Sequence, residues 1–110
     1  MVRAIRRGEI NMVDLDPTLG GEIKKTRPCV IITPDELNAH LRTFIIAPLK
    51  TGSHSYLFRV PASFAGRNGH IVLDHIRTVD RERLVRRIGK LPASTLNQVL
   101  AVLQEMFSPI

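Results

Sequence analysis

The stretch Cys29-Val30-Ile31-Ile32-Thr33 decides the fold class, because it is a continuous apolar run of strand length in a chain of 110 residues. Short apolar runs rich in β-branched side chains are typical of strands buried on both faces. Gly and Pro recur at short intervals on either side of it, which indicates short strands joined by loops. The stretch therefore predicts the central strand of a small sheet.

Working outward, the same reasoning predicts six further strands and two short breaks between them. The predicted strands cover residues 9–15, 44–47, 56–60, 71–73, 77–79 and 88–91. Pro48 should end the strand before it. Residues 34–38 begin with Pro and two acidic side chains, as the first turn of a helix does. Residues 66–69 should form a turn, because Asn68-Gly69 readily adopts positive φ.

The C-terminal segment changes period from two to three and four residues. After Pro92 the apolar side chains are Leu96, Val99, Leu100, Leu103, Met106 and Phe107. This spacing puts them on one face of a helix. We expect that face to pack on the sheet, and the alternative is a surface for a partner. The whole chain, 1–110, is expected to be a single domain, mainly β with short α-helices, in which the strands curve into a small barrel.

Positive charge is concentrated in two segments. The chain has 16 Lys and Arg residues against 10 acidic residues, a net charge of +6. Lys24, Lys25 and Arg27 lie in a polar segment, 16–27, which is long for a loop in a compact domain, and such loops are usually functional. The second cluster comprises Arg81, Arg83, Arg86, Arg87 and Lys90. Charge grouped in this way favours a binding face for a polyanion such as nucleic acid, and the alternative is general solubility.

Several classes of protein are disfavoured by composition. Cys29 is the single cysteine, so no disulfide and no zinc knuckle is expected. In its apolar run it should be a buried hydrophobe, although nearby Arg27 leaves a reactive thiol open. No apolar stretch approaches the roughly 20 residues of a membrane-spanning helix. The basic segment 1–7 lacks the apolar stretch of a signal peptide. We therefore expect a cytoplasmic protein without membrane contact, cofactor or metal.

Six short motifs follow one another in an order that is characteristic of one family. They are Arg7-Gly8-Glu9-Ile10, Val13-Asp14-Leu15-Asp16-Pro17-Thr18, Gly20-Gly21-Glu22, Lys25-Thr26-Arg27-Pro28, Ile46-Ala47-Pro48-Leu49 and Leu73-Asp74-His75-Ile76-Arg77-Thr78-Val79-Asp80. Together they resemble the blocks of the MazF/PemK toxins. The resemblance runs from about Arg6 to the C-terminal helix, which is nearly the whole chain.

The resemblance implies a fold, an activity and partners. The fold would be an SH3-like barrel of the MazF/Kid/CcdB type, with the C-terminal helix packed on the sheet, in a homodimer. The activity would be metal-independent, sequence-specific endoribonuclease cleavage of single-stranded RNA, with 2′-hydroxyl attack giving a 2′,3′-cyclic phosphate and a 5′-hydroxyl. Such cleavage inhibits translation and growth, and a MazE-like antitoxin neutralises it by laying an acidic tail over the RNA groove. The alternatives are a catalytically impaired RNA-binding protein and a CcdB-type gyrase poison on the same barrel.

Three residues are implied as catalytic. Arg27 matches the family's catalytic arginine, and a guanidinium suits the charge that builds on a phosphate under attack. Glu22 matches a loop carboxylate near the active groove. It is either a base for the 2′-hydroxyl or a solvated residue paired with Lys24 or Lys25. The family hydroxyl should follow Pro48-Leu49, but Lys50 stands there, so Thr51 is the favoured replacement and Lys50 the alternative.

Further residues are expected to contact RNA. They are Lys24, Lys25, Lys50, His54, His75, Arg77 and Arg81. His54 and His75 are also secondary candidates for proton transfer, because imidazole titrates near neutral pH. For Arg77 the first expectation is architectural, with Asp80, at the turn before Arg81. Some PemK-like members carry an arginine two positions before the residue that matches Asp74. Val72 stands there in this chain, so a mechanism based on that arginine is not expected.

Overall fold

The structure, a computed structural model, describes residues 4–52 and 54–109. In chain order its elements are β1 (Glu9–Asp14), β2 (Thr26–Ile31), α1 (Asp35–Asn38), β3 (Thr43–Thr51), β4 (Arg59–Phe64), β5 (Arg67–Val72), a 3₁₀ turn (Leu73–His75), β6 (Arg77–Asp80), a second 3₁₀ turn (Arg81–Arg83), β7 (Leu84–Lys90) and α2 (Ala93–Met106). The central apolar strand, the helical turn at 34–38 and the C-terminal helix are confirmed.

One antiparallel sheet contains all seven strands, and β3 is its centre. The strand order is β4-β5-β3-β2-β1-β7, with β6 also paired to β3. One edge of β3 pairs with β2, while its other edge pairs first with β6 and then with β5. Strand β3 therefore joins two parts of the sheet and contributes side chains to two apolar clusters. The predicted mainly β fold with a closing helix is therefore confirmed.

The two clusters lie on opposite faces of β2 and β3. The helix-side cluster comprises Ile10, Val30, Ile32, Ala47, Leu49, Val60, Ile71, Leu73, Leu91 and Val99. The loop-side cluster comprises Ile5, Val13, Leu15, Cys29, Ile31, Phe44, Ile46 and Val79. Because both faces of the central strands are buried, their sequence is continuously apolar rather than alternating.

Helix α2 packs on the helix-side cluster, as predicted. Val99 is fully buried, and Leu96, Val102 and Leu103 pack around it. The predicted apolar face is too long at its C-terminal end, because Phe107 lies beyond the helix and is 67% exposed. In the described part of the chain, no helix has the length and apolar character needed to cross a membrane. Of the basic segment 1–7, residues 1–3 lie outside the described residues.

The prediction that Pro48 ends its strand is wrong. Strand β3 runs through Pro48 to Thr51. The ladder to β6 stops at Ile46 and the ladder to β5 starts at Leu49, so Pro48 falls between them. The carbonyl of Ile45 accepts from the backbone N–H of Ile32 on the β2 side, so alternation directs the nitrogen of Pro48 to the opposite side. The missing N–H there removes no ladder hydrogen bond.

The prediction of a turn at 66–69 is also wrong. The hairpin turns at Ala65 and Gly66, which have φ angles of 53° and 75°, as the two central residues of a type I′ turn require. Asn68 and Gly69 belong to β5. The strand predicted at 56–60 begins only at Arg59 and ends at Phe64. Residues 56–58 are therefore not part of the strand.

Three other bounds differ in ways that affect the site. Strand β2 begins at Thr26, so Arg27 lies in a strand and not in the loop. The last strand, β7, is longer than predicted and pairs with β1 through two register shifts. The segment 71–73 is divided, because β5 ends at Val72 and Leu73 begins a 3₁₀ turn.

Candidate functional site

The segment between β1 and β2 is held over the sheet by hydrogen bonds at its base. The backbone N–H of Leu15 donates to the carbonyl of Lys25 (3.1 Å), and the N–H of Lys25 donates to Oδ1 of Asp16 (3.0 Å). From β6, Nη1 of Arg77 donates to the carbonyl of Leu15 (3.0 Å). Arg83 donates to the carbonyls of Asp14 and Asp16. The long basic segment is therefore an anchored loop with a defined position above β2 and β3.

Arg27 stands where this loop enters β2. It pairs with Val13 of β1 and is two residues before Cys29, and both of these residues belong to the loop-side cluster. The side chain of Arg27 therefore lies on the same face of the sheet, at the edge of that cluster. Its Nε donates to the carbonyl of Lys24 (3.1 Å), which fixes the guanidinium against the loop. Within the described residues the two Nη groups have no partner. Arg27 therefore presents a planar pair of donors to solvent from a fixed base.

A groove of about 490 Å³ opens beside this side chain, and we call it the Arg27 groove. It is lined by Gly21, Glu22, Ile23, Lys24, Lys25, Arg27, Leu49, Lys50 and Thr51. Four basic side chains meet there against the single carboxylate of Glu22. Such an excess of positive charge attracts a phosphodiester chain. The structure thus brings the three implied catalytic residues and three of the implied RNA contacts into one groove.

Strand alternation distinguishes Lys50 from Thr51. Pro48 is paired with Cys29, so Pro48 and, two residues on, Lys50 share the face from which Arg27 projects. Thr51 is two residues after Leu49 and therefore shares the helix-side face with it. Both residues are exposed and both line the groove. The register therefore aligns the ammonium of Lys50, rather than the hydroxyl of Thr51, with Arg27.

Glu22 lies at the junction of two grooves. Its carboxylate accepts a hydrogen bond from the backbone N–H of Leu19, and the N–H of Glu22 donates to the carbonyl of Leu19 (3.0 Å). In residues 4–52 and 54–109 it forms no ion pair with Lys24 or Lys25, and Glu22 is exposed. The carboxylate of Glu22 is therefore fixed by its own loop where the two grooves meet.

The second groove, which we call the His75 groove, has a volume of about 380 Å³. Its lining residues are Leu15, Gly21, Glu22, Ile23, Pro48, Asp74, His75, Ile76 and Arg77. The segment Gly21-Glu22-Ile23 also lines the Arg27 groove, so it separates two adjacent grooves. Arg77 is paired with Ile46 and therefore shares the face of Arg27. Two of the predicted RNA contacts, His75 and Arg77, lie here.

An ion pair between Arg59 and Asp74 borders the His75 groove. Nε of Arg59 donates to Oδ1 of Asp74 (3.0 Å) and Nη2 donates to Oδ2 (2.9 Å), a bidentate arrangement. This hydrogen bonding lowers the pKa of Asp74 and raises the pKa of Arg59 from their ordinary values. The Arg59 guanidinium also lies 5.6 Å from the centre of the exposed Tyr56 ring. Nε2 of His75 is 3.7 Å from Oδ2 of the same carboxylate.

The sequence pattern did not point to Arg59. Arg59 is paired with Val72 across the β4–β5 hairpin, so a guanidinium reaches Asp74 from the strand next to the position where Val72 replaces the family arginine. The two charged residues are 15 positions apart. The signal was available in the Ala65-Gly66 turn, because that turn fixes the register. The turn predicted at 66–69 implies a different register, in which Arg59 does not lie opposite Val72.

Two of the predicted RNA contacts lie outside both grooves. His54 is exposed and follows residue 53, which lies outside the described residues. Arg81 lies over the ring of Phe44, 5.8 Å from its centre, and lines a separate groove with Arg86 and Arg87. The second basic cluster is thus partly architectural. The carboxylate of Asp80 accepts from the N–H of Glu82 (2.9 Å) and pairs with Arg42, so it holds this turn without Arg77.

Cys29 is fully buried in the loop-side cluster. Burial raises the pKa of its thiol to about 12, against a smaller lowering by Arg77. Such a thiol remains protonated at neutral pH and is a poor nucleophile. Cys29 is therefore a core residue, as the first of the two interpretations of the sequence proposed. Among the described residues, no group of three or more His, Cys, Asp or Glu side chains is arranged to hold a metal ion.

Sequence comparisons point in one direction. A family model described as a PemK-like, MazF-like toxin of type II toxin-antitoxin systems matches residues 6–107. The chain is 33% identical to the Endoribonuclease PemK of Escherichia coli, over 94% of this chain and 83% of that protein. It is 37% identical to the Endoribonuclease MazF9 of Mycobacterium tuberculosis, over 86% of this chain and 89% of that protein.

Solved structures show the same fold. MazF from Deinococcus radiodurans matches with a TM-score of 0.83 at 23% identity, over 96% of this chain and 97% of that one. A chain from a MazE–MazF crystal structure of the same organism matches with a TM-score of 0.79 at 20% identity, over 99% of this chain and 100% of that one. The predicted barrel architecture is therefore shared with MazF.

Proposed function

The chain belongs to the PemK-like, MazF-like toxin family, as an endoribonuclease toxin of that type, and from this premise we propose how it cuts RNA. The substrate is single-stranded RNA, and the Arg27 groove binds the phosphodiester that is cleaved. The observation that carries the proposal is the convergence of Arg27, Lys24, Lys25 and Lys50 on one groove with Glu22 at its edge.

The nucleophile is the ribose 2′-hydroxyl next to the cleaved phosphate. The bond from the 2′-oxygen to phosphorus forms while the bond from phosphorus to the 5′-oxygen breaks, leaving a 2′,3′-cyclic phosphate and a 5′-hydroxyl. Because the substrate supplies the nucleophile, the step requires no metal-bound water. The carboxylate of Glu22 accepts the 2′-hydroxyl proton, which requires hydrogen-bond reach to that oxygen.

Arg27 stabilises the transition state. Negative charge grows on the two non-bridging oxygens during attack, and the exposed Nη groups of Arg27 match that pair of oxygens. The fixed Nε–carbonyl contact with Lys24 holds the guanidinium before substrate arrives, so little reorganisation is needed during the reaction. Lys24, Lys25 and Lys50 bind the neighbouring phosphates, and their contribution falls as salt rises.

Single-stranded RNA fits this chemistry better than duplex RNA. In-line attack requires the 2′-oxygen to swing opposite the leaving 5′-oxygen, and A-form pairing prevents that rotation. The His75 groove shares the wall Gly21-Glu22-Ile23 with the Arg27 groove and is of a size to admit the unstacked nucleotide that carries the leaving 5′-oxygen. Sequence-specific proteins read unpaired bases in this way. We propose that cleavage is sequence-specific and that loss of messenger RNA inhibits translation and growth.

The partner proposed to neutralise this activity is a MazE-like antitoxin. MazE and MazF occur together in a structure whose fold this chain shares. An acidic, extended segment of the antitoxin would be drawn to the four basic side chains of the Arg27 groove and would exclude RNA. We also propose that the toxin is a homodimer that acts in the cytoplasm.

The test is cleavage of a long transcript by the purified protein, with and without EDTA. Cleavage should persist in EDTA, and the new 3′ ends should be cyclic phosphates. Arg27→Ala should reduce the rate by about 100-fold or more. Arg67→Ala removes an equal charge from an exposed position of β5, outside both grooves, and is the matched control. Bound but intact RNA would support a non-cleaving RNA-binding protein, and neither binding nor cleavage would support a CcdB-type poison.

A further inference from the structure

The Arg59–Asp74 pair is built to hold a carboxylate in one position and in one charge state. Two parallel hydrogen bonds of 3.0 and 2.9 Å fix both oxygens of Asp74. The hydrogen bonds from Arg59 lower the pKa of Asp74, so this carboxylate stays ionised across the neutral range. A carboxylate that is engaged at both oxygens by a guanidinium is a poor proton acceptor. Asp74 therefore acts through a neighbour.

The neighbour is His75. Its Nε2 lies 3.7 Å from Oδ2 of Asp74, and its side chain is 31% exposed at the wall of the His75 groove. Within the described chain, Asp74 is the one group paired with the imidazole, so Nδ1 remains open to a ligand. A histidine that lies at ion-pair distance from a carboxylate and lines a groove can transfer a proton to a ligand there.

Charged groups from four elements surround this imidazole. Asp74 comes from the 3₁₀ turn, Glu22 from the loop and Arg77 from β6, and Arg59 of β4 reaches it only through Asp74. Asp74 and Arg59 neutralise each other, so Glu22 and Arg77 are the other charged groups that line this groove. A protonated imidazole can donate a proton to a leaving group.

From this geometry we infer that His75 is the general acid of RNA cleavage, and that Arg59 and Asp74 are its positioning residues. The inference rests on the proposed function and adds the second proton transfer to it. As the bond between phosphorus and the 5′-oxygen breaks, the proton of the His75 imidazolium passes to that oxygen, while the 2′-hydroxyl proton passes to Glu22. The protein ends with His75 neutral and Glu22 protonated, and exchange with water restores both.

A substrate with a better leaving group tests the acid directly. In an RNA oligonucleotide with sulfur in place of the bridging 5′-oxygen at the mapped cleavage position, the departing thiolate needs no proton. His75→Gln should slow cleavage of ordinary RNA by about 100-fold or more and cleavage of the sulfur substrate by less than about 5-fold. Equal slowing of both substrates, or of neither, would overturn the inference. His40→Gln changes an exposed histidine outside both grooves and serves as control.

The pH profile tests the positioning residues. Because the acid must be protonated, the rate on ordinary RNA should fall at high pH. Asp74→Asn removes the negative charge beside the imidazolium and leaves Arg59 unpaired nearby, so this descending limb should move to lower pH. A merely structural role would lower the rate at every pH and leave the limb in place, and that result would remove Asp74 and Arg59 from the mechanism.

The ratio of the cleavage rates on the two substrates distinguishes loss of the acid from misfolding. It also separates this inference from the proposed function. A partly unfolded sample of His75→Gln loses activity on both substrates equally, and His75→Ala provides an independent variant with the same expected ratio. Arg27→Ala should be slow on both substrates, since both build charge on phosphorus. Full activity of Arg27→Ala would defeat the proposed function, whereas the ratio for His75 would still decide the acid.

Discussion

Arg77 donates a hydrogen bond from Nη1 to the main-chain carbonyl of Leu15 at a distance of 3.0 Å, and so ties β6 to the start of the loop between β1 and β2. Leu15 is buried in the loop-side cluster, so its carbonyl has little access to water. The same guanidinium lines the His75 groove. One side chain thus anchors the loop and contributes to the site.

Removal of this anchor should loosen the loop. Arg77→Ala leaves the Leu15 carbonyl without its donor, and we expect a loss of about 1–3 kcal/mol in the free energy of unfolding measured in urea. The loop should also become more sensitive to trypsin, which cuts after Lys24 and Lys25. Arg67→Ala, with the same charge change, should alter neither quantity. Unchanged proteolysis in Arg77→Ala would show that other contacts hold the loop.

Lys50 and Thr51 should differ in their effect on RNA. Because alternation puts Lys50 on the face of Arg27, Lys50→Ala should weaken binding of a non-cleavable RNA and flatten its salt dependence by about 0.7 in the logarithmic slope. Thr51→Ala should leave that slope as it is. Binding can be measured by fluorescence anisotropy at several salt concentrations. A loss of cleavage confined to Thr51→Ala would instead assign the role to the hydroxyl.

Gly69 should tolerate no side chain. A Cβ built there would lie 2.8 Å from the Cα of Thr51 and closer still to the carbonyl oxygen of Lys50. Since both are backbone atoms, the β3–β5 ladder would have to open, and Gly69→Ala should cost about 1–3 kcal/mol of stability. Gly21→Ala is the control, because a Cβ there meets nothing within 4 Å. Thermal unfolding of the two variants should separate them clearly.

Burial of Cys29 should make stability depend on pH in alkali. The pKa of the thiol is raised to about 12 in the folded state from 9.0. Above pH 9 the unfolded chain loses the proton while the folded chain keeps it, so stability is complete below pH 9 and declines towards pH 12. The decline should be smaller in Cys29→Ala. Iodoacetamide at pH 8 should neither label the folded protein nor inhibit it.

Local patterns predicted the elements whose signal is local. The apolar run at 29–33 and the three- and four-residue spacing of α2 both led to the correct element, because each reflects a face that must be buried. The prediction of a turn at 66–69 was wrong because its signal is not local. Asn68-Gly69 has the composition of a turn, but Gly69 is small because β3 passes close to it, which is a long-range cause. The prediction that Pro48 ends its strand was wrong for the same kind of reason. Pro48 lies between two ladders, and that position depends on how the whole sheet is paired.

The sequence by itself determined the fold class, the family, and the stock of basic side chains around Arg27, because these follow from residue type and spacing along the chain. Only the tertiary structure decided which charges meet. The pairing of Arg59 with Val72 puts a guanidinium on Asp74, and the alignment of β2 with β3 puts Lys50 beside Arg27. Strand register governs both, and a shift of one residue would turn each side chain to the opposite face.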